Sequence, residues 1–381
     1  MHFSRSSALA LAVTIPFAIA QTSTSCNPLE KTCPKDLGLN AATFTSDFTK
    51  GKSAFASWSA ADGTTMTFGD QGAEFTITES GQAPTVQTDF YFFFGRVDIR
   101  MSAAPGTGIV SSIVMESDDL DEIDIEFLGG NTAQMETNFF GKGNTTVYDR
   151  AIYYPVSQPQ STMHTYSIDW NSDRLQWIID GKLVRTIPYS NSLTVGGINY
   201  PQTPMRLKLG NWCGGCKGEP NGTVAWAGGE TTFDNAPYVM YVESVSIQNA
   251  NPADSYEYTD NSGSWQSIKI IKNGSTSNPK GTASIVSSVT GTHTSAPTSM
   301  HQVGHITGTG AVKTASGNST VHPGGLKTAT STLVVPGGPT GATATPSGSA
   351  TATASVQNSA ATLGALTSGS LLAIFFGFLM L

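Results

Sequence analysis

Between about residue 40 and residue 271 the chain is a succession of short apolar–polar alternations separated by turn-forming residues. Examples are Ala73–Ile77, Arg96–Arg100, Arg174–Ile179 and Met240–Ile247. A period of two residues with Gly, Asn, Asp and Pro between segments indicates antiparallel strands. Asp180-Gly181, which lies between two such segments, is a strong hairpin-turn signal. No long helical period is present, so the sequence predicts an all-β, two-sheet antiparallel sandwich.

The acidic residues are confined to one part of the chain. All 28 Asp and Glu residues precede residue 272, beyond which Ser, Thr, Gly, Ala and Pro dominate. Such a composition cannot offset the entropy of ordering, so we expect residues 272–357 to be a disordered Ser/Thr-rich stalk. The net charge of −8 argues against a nucleic-acid partner. We expect residues 21–271 to form one monomeric folded domain.

The first residues have the pattern of a secretory signal peptide. Arg5 supplies a positive charge, an apolar run extends from Ala8 to Ala20, and Ala18-Ile19-Ala20 has the form of a cleavage site. The run is shorter than the about 20 apolar residues of a membrane-spanning helix. We therefore expect residues 1–20 to be removed, Gln21 to become the N-terminus, and the protein to be secreted.

The last residues have the pattern of a GPI-attachment signal, over residues 358–381. Three small residues, Asn358-Ser359-Ala360, precede a weakly polar spacer and an uncharged apolar end from Leu371 to Leu381. We predict lipid attachment at Asn358, with Ser359 as the alternative. A short tail anchor is the competing interpretation, but the final apolar run has only 11 residues. The lipid would hold the protein at the outer face of the plasma membrane.

Four cysteines in two close pairs agree with an oxidising compartment. Among the possible pairings we predict the two local ones, Cys26–Cys33 and Cys213–Cys216. The segment Cys213–Cys216 also resembles a redox motif or half a zinc site, but the βαβ context and a second Cys/His pair are absent. N-glycosylation sequons are present at Asn144, Asn221, Asn273 and Asn318.

One predicted strand carries three acidic residues on one face. Residues i, i+2 and i+4 of a strand share a face, so Glu122, Asp124 and Glu126 project together. Ile123, Ile125 and Phe127 then project into the space between the sheets. Like charges raise one another's pKa, so the row gains the strand no stability. A solvated acidic edge or a calcium site is the alternative, although calcium sites favour oxygens carried on loops.

Paired carboxyl groups suit cleavage of a glycosidic bond with retention. One acts as an ionised nucleophile and the other as a protonated acid/base, about 5–5.5 Å apart. Four residues of strand span about 13 Å, so the arms of Glu122 and Glu126 have to lean together over a concave sheet. A middle aspartate can hold the two pKa values apart. The spacing therefore suggests a glycosidase without deciding the matter.

The segment Glu122–Glu126, with the sequence EIDIE, is similar to the E-x-D-x-E signature of glycoside hydrolase family 16. Its surroundings, Asp118–Gly130, resemble the fungal Crh-type cell-wall transglycosylases of that family. Further matching stretches are Phe90–Arg96, Thr137–Gly143, His164–Trp170 and Trp226–Gly229. The resemblance covers about residues 24–271 and implies a catalytic domain of β-jelly-roll fold with a concave glycan cleft.

The resemblance also implies roles. Glu122 would be the nucleophile, Glu126 the acid/base and Asp124 a helper, with no cofactor and no metal. Chitin would be the donor, and β-1,3-glucan, β-1,6-glucan or chitin the acceptor, which places the enzyme at the cell wall. Water attacking the same glycosyl-enzyme would make the protein a hydrolase instead, but the resemblance favours transfer.

Candidate substrate contacts come from the same matching. Asn138 resembles the Asn of a Gln-Thr-Asn motif that contacts sugar, and Trp226 resembles a sugar-stacking tryptophan. Glu136 stands where that motif commonly has Gln. Because aromatic faces suit pyranose rings, we also place Trp212 in the cleft, with Lys142 on its wall.

Two interpretations from other classes of protein remain open. A lectin-like sandwich that binds glycan without cutting it predicts an incomplete acid pair, whereas Glu122 and Glu126 are both present. A structural wall protein that acts through its glycosylated stalk leaves the acidic row unexplained. An enzyme is therefore the prediction.

Overall fold

A computed structural model of the chain describes residues 24–146 and 149–282. The predicted signal peptide, the predicted stalk beyond residue 282 and the predicted GPI signal lie outside these residues. None of the helices in the described part of the chain has the length and apolar character needed to span a membrane.

The described residues form an all-β fold, as predicted. The first ten strands are β1 Asp36–Leu37, β2 Thr43–Asp47, β3 Trp58–Ala60, β4 Thr67–Gly69, β5 Gly72–Ile77, β6 Thr85–Thr88, β7 Gly95–Ser102, β8 Ile109–Ser117, β9 Glu122–Leu128 and β10 Gln134–Phe140. The others are β11 Ile152–Pro155, β12 His164–Trp170, β13 Arg174–Ile179, β14 Lys182–Pro188, β15 Met205–Cys213, β16 Tyr238–Asn249, β17 Ser255–Tyr258, β18 Ile268–Lys272 and β19 Ser275–Ser277. Short 3-10 helices span Phe48–Phe55, Ser192–Thr194 and Trp265–Ser267, and the α-helix α1 spans Asn221–Trp226.

Two large antiparallel sheets confirm the predicted sandwich. One has seven strands in the order β11-β10-β9-β8-β15-β6-β3, so the acidic strand β9 is an interior strand of that sheet. The other has eight strands in the order β14-β13-β12-β7-β16-β5-β4, and β2 pairs with β16. A small sheet, β1-β17-β18-β19, was not predicted, and its last strand reaches Ser277, past the domain end predicted at residue 271.

The apolar face of β9 packs against the opposite sheet. Ile123, Ile125 and Phe127 are fully buried, and the Phe127 ring packs edge-on against Tyr166 of β12 with centroids 4.7 Å apart. Burying one side chain of this size contributes roughly 1.5–3 kcal/mol. Because successive side chains alternate, the acidic face of β9 must point away from the core.

The predicted hairpin turn connects β13 and β14. Asp180 and Gly181 have φ of 48° and 79°, the positive values that a type I′ turn requires. The hairpin pairs Trp177 with Arg185, whose guanidinium carbon lies 4.7 Å from the centroid of the indole ring. The indole Nε1 donates to the backbone oxygen of Asp124 at 3.1 Å, so this hairpin supports the acidic strand from behind.

Candidate active site

Two buried aspartates, Asp119 and Asp121, hold the turn that leads into β9. Together with Lys142, which contacts both, we call them the turn cluster. Asp119 accepts hydrogen bonds from the Ser117 and Thr203 hydroxyls, and neither aspartate has measurable exposure. Asp121 accepts from the backbone N–H of Gln202 at 2.7 Å. Burial raises the pKa of Asp119 to about 7, and the charge of Asp121 adds to this effect. The strand therefore starts from a firmly held point, one residue before Glu122.

Lys142 belongs to this turn cluster and not to the cleft, which corrects the prediction from sequence. Its Nζ lies 3.1 Å from Asp121 Oδ1 and 3.8 Å from Asp119 Oδ2, and its side chain is 13% exposed. Lys142 is not among the residues that line the cavity described below. The ammonium group is therefore paired with the two buried carboxylates.

The three acidic residues of β9, which we call the cleft row, do share one face. Glu122 is 7% exposed and Asp124 3% exposed, while Glu126 is half-buried. On the neighbouring strand β10, Asn138 lies opposite Asp124 and Glu136 lies opposite Glu126. The structure thus brings Asn138 and Glu136 next to the predicted acidic residues.

The cleft row faces a cavity of about 760 Å³ that runs across the seven-stranded sheet. Alternate residues of successive strands line it: Ala60, Gln87, Ser112, Val114, Glu116, Glu122, Asp124, Glu126, Glu136, Asn138, Phe140, Tyr153, Lys208, Gly210 and Trp212. One wall comes from α1 and the loop before it, including Pro220, Thr223 and Trp226. A cavity of this size has room for several sugar units of a polysaccharide chain.

Two tryptophans stand beside the Glu126 end of the cleft row. Trp212 lies near the end of β15 and Trp226 at the end of α1, and their rings are stacked with centroids 6.0 Å apart. The Trp226 Nε1 donates to Glu136 Oε2 at 2.8 Å, which orients the indole. The disulfide Cys213–Cys216 closes a short loop directly after Trp212.

Burial is the main reason why the carboxyl groups of the cleft row have raised pKa values. It raises the pKa of Glu122 and of Glu126 well above the ordinary range, and the charge of Asp124 acts in the same direction on both. Glu136 raises the pKa of Glu126 further. Burial also raises the pKa of Asp124 to about 7, although a side-chain hydrogen bond with Glu122 opposes the rise. At neutral pH the cleft row therefore carries protons that exposed carboxyl groups would lose.

One buried polar atom of the cavity, Glu116 Oε1, has no hydrogen-bond partner in the described part of the chain. Buried polar atoms are nearly always paired in folded proteins, so each exception needs an explanation. A sugar hydroxyl is a group that can donate to this oxygen. Over residues 24–146 and 149–282, no group of His, Cys, Asp and Glu is arranged to hold a metal ion.

Sequence analysis missed several residues of the cavity, notably Glu116, Lys208 and Tyr153. A signal for one of them was present, since Lys208 precedes Trp212 by four residues and a strand places both on one face. Glu116 lies opposite Glu122 in the register of β8 and β9, and its Oε2 accepts from the Lys208 Nζ. That register depends on long-range pairing, which no local pattern reveals.

The remaining predicted positions are the cysteines, the glycosylation sequons and the lipid-attachment residue. Cys26 and Cys33 form a disulfide, as do Cys213 and Cys216. Asn221 and Asn273 are exposed, while Asn144 is half-buried and its Nδ2 donates to Asn199 Oδ1 at 2.9 Å. Asn318 and Asn358 lie outside the described residues.

Comparison with known proteins identifies the family to which this chain belongs. The model of "Glycosyl hydrolases family 16" matches residues 52–228. Crh-like protein 5 of Aspergillus fumigatus is 58% identical over 270 residues, which are 71% of this chain and 67% of the relative. Crh-like protein 2 of Botryotinia fuckeliana is 53% identical over 265 residues, 68% of this chain and 57% of the relative. A solved structure, "Crh5 transglycosylase in complex with NAG", is 59% identical with a TM-score of 0.62, over 65% of this chain and 100% of that one.

The chain belongs to glycosyl hydrolases family 16. Its relatives within that family are the Crh-like proteins of fungi. The predicted family, the antiparallel sandwich fold and the prediction of a glycosyltransferring glycoside hydrolase are confirmed.

Proposed function

We propose that the protein is a retaining transglycosylase that cleaves chitin as donor and transfers the cleaved chain to β-glucan or chitin. Glu122 is the nucleophile, Glu126 the acid/base and Asp124 the helper. The observation that carries this proposal is the cleft row itself: three carboxyl groups on one strand face, in a sugar-sized cavity, with their pKa values raised by burial. A strand gains nothing from such a row unless the groups perform chemistry.

The first step uses both glutamates. The Glu122 carboxylate attacks the anomeric carbon of the donor while Glu126 gives its proton to the glycosidic oxygen that leaves. The bond between that carbon and that oxygen breaks, and an ester between the sugar and Glu122 forms. In the second step Glu126 takes a proton from an acceptor hydroxyl, whose oxygen attacks the anomeric carbon and frees Glu122.

The electrostatics suit this division of work. Burial and the charges of Asp124 and Glu136 raise the pKa of Glu126, so it holds a proton at the pH at which it must donate one. Glu122 has to be ionised to attack, although its own pKa is raised. Asp124 solves this conflict, because it can take the proton that Glu122 loses and donate a hydrogen bond to the ionised nucleophile.

Substrate contacts follow from the walls of the cavity. Trp212 and Trp226 present aromatic surface beside the Glu126 end, which suits a pyranose ring. Asn138, beside Asp124, and Glu136 offer polar atoms to sugar hydroxyls. The solved relative is a complex with NAG, which supports chitin as the donor.

We also propose a place of action. The signal-peptide pattern of residues 1–20 and the GPI pattern at Asn358 would deliver the enzyme to the outer face of the plasma membrane and the cell wall. The exposed sequons Asn221 and Asn273, together with Asn144 and Asn318, would carry glycans on that route. We propose that the enzyme acts there as a monomer.

The test is a product assay. Secreted protein is mixed with chito-oligosaccharides and fluorescent laminarin oligomers, and the products are identified by mass spectrometry. We expect hybrid products from the wild type and none from Glu122→Gln, with normal secretion of both. Glu243→Gln, in β16 of the other sheet, is the matched control that keeps activity. Shortened chito-oligosaccharides without hybrids would make the protein a hydrolase, and binding without any cleavage would make it a glycan-binding wall protein.

A further inference from the structure

A second cavity, of about 630 Å³, adjoins the first. The two cavities share three lining residues, Gln87, Glu116 and Lys208. We call the second cavity the polar bay. Its further wall is formed by Asp36, Leu37, Tyr91, Asp118, Arg206 and the disulfide-closed segment at Cys26.

The cationic side of the polar bay is held in place. The Arg206 guanidinium carbon lies 4.4 Å from the centroid of the Tyr91 ring, which leaves the face of that ring covered. The Tyr91 hydroxyl in turn donates to Asp118 Oδ1 at 2.5 Å. The Arg206 Nε is buried and has no hydrogen-bond partner in the described part of the chain. The bay therefore contains a positioned but unused donor.

The acidic side contains one unused acceptor. Asp36 is 5% exposed and shares a hydrogen bond with Asp118, while Glu116 is 4% exposed and its Oε1 has no partner within residues 24–146 and 149–282. Burial raises the pKa of Asp36 to about 8, with the charge of Asp118 adding to the rise. At neutral pH this carboxyl group is therefore largely protonated and uncharged.

These features select a class of ligand. Sugar hydroxyls both donate and accept, so one neutral pyranose can satisfy a guanidinium N–H and carboxyl oxygens together. An anion would be repelled by the carboxylates of Asp118 and Glu116. The Tyr91 ring cannot stack on an apolar ring, because Arg206 covers its face. The geometry fits a sugar bound through its hydroxyls.

We propose that the polar bay is an additional glycan subsite, which binds a neutral hexopyranose unit of a chain that also occupies the catalytic cavity. This inference rests on the proposed function, because the chain in the cavity is the glycan of that reaction. The unit belongs either to the donor chain or to the acceptor chain, and the two arms of the test distinguish these sources.

The test measures binding separately from transfer. On the background of Glu122→Gln, isothermal titration gives the affinities for chito-oligosaccharides and for laminari-oligosaccharides of increasing length. Arg206→Met keeps an apolar stem over Tyr91 but removes the N–H donors, and Leu37→Trp fills the bay from an exposed position. Arg100→Met, which breaks an ion pair with Glu243 on the other sheet, is the matched control.

We expect both bay variants to bind the longer oligomers of one series about 3–10-fold more weakly, as expected for lost hydrogen bonds, with a smaller loss for the shortest oligomers. Loss in the chitin series places the unit in the donor, and loss in the glucan series places it in the acceptor. Affinities that match those of Arg100→Met at every length overturn the proposal. A length-dependent loss alongside a wild type that forms no hybrid products would uphold the bay and overturn the proposed transfer.

Discussion

The turn cluster and the cleft row are adjacent in the chain, but their carboxyl groups have different kinds of partner. Asp121 of the turn cluster accepts from a backbone N–H and from the Lys142 ammonium. In the cleft row, Glu122 and Asp124 share a hydrogen bond with each other, and no cation is paired with either of them in the described part of the chain. Carboxylates that pair with a cation and with backbone donors hold a fold together, whereas buried carboxyl groups that face one another without a cation are available for proton transfer.

Replacing the catalytic glutamates should give the largest contrast. Glu126→Gln should lower transfer from natural chito-oligosaccharides by roughly 10²–10⁴-fold, because the leaving oxygen no longer receives a proton. A donor with a nitrophenol leaving group needs no such proton, so this variant should still release nitrophenol from it. Glu122→Gln should fail with both donors. Steady-state rates on the two donors check this, and equal losses for both variants on both donors would contradict the assigned roles.

Breaking the turn cluster should damage stability rather than chemistry. Asp121→Ala leaves the Lys142 ammonium buried beside a single carboxylate, so we expect a loss of about 3 kcal/mol in the free energy of unfolding. Chemical denaturation measures that loss. Adding Lys142→Met should restore part of it, because the unpaired charge is then removed. A catalytic loss in the folded Asp121→Ala protein as large as that of Glu122→Gln would remove the distinction between the two clusters.

The same contrast shows what a sequence can and cannot predict. The cleft row follows from the two-residue period of a strand, which is a local property of Glu122–Glu126. The true partners of Lys142 required the loop after β10 to fold back on the turn before β9, a long-range contact without a local signal. The small sheet was missed for a similar reason, since β1 has only two residues and pairs with β17 near the other end of the fold.

The cleft row should contribute to the pH dependence of stability, together with Asp119 and Asp36, whose pKa values are also raised by burial. A carboxyl group whose pKa is higher in the folded state binds more protons there than in the unfolded state, so folding weakens as pH rises. For Asp124 the ordinary value of 3.8 rises to about 7, so its contribution is lost as pH increases from about 4 to about 7. Thermal unfolding across this range should show a smaller decline for Asp124→Asn than for the wild type. Equal slopes would contradict the raised pKa.

The smallest expected effect concerns Glu136, which touches the cleft row from the neighbouring strand. Its charge raises the pKa of Glu126, and its Oε2 accepts from the Trp226 indole. Glu136→Gln removes the charge but keeps an oxygen acceptor, so the pKa of Glu126 should fall. Because Glu126 must be protonated to donate, the alkaline limb of the pH profile of kcat/KM should then move to lower pH, by about 1 unit or less.

The matched control for this prediction is Glu243→Gln, which removes one carboxylate from the other sheet and should leave the pH profile unchanged. A purely structural role for Glu136 would lower kcat/KM equally at every pH and leave the limb in place. A shifted limb with little change in the maximum would instead show that the fourth carboxylate tunes the acid/base. The cleft row would then extend across two strands, with Glu136 as the member that acts through charge and indole orientation.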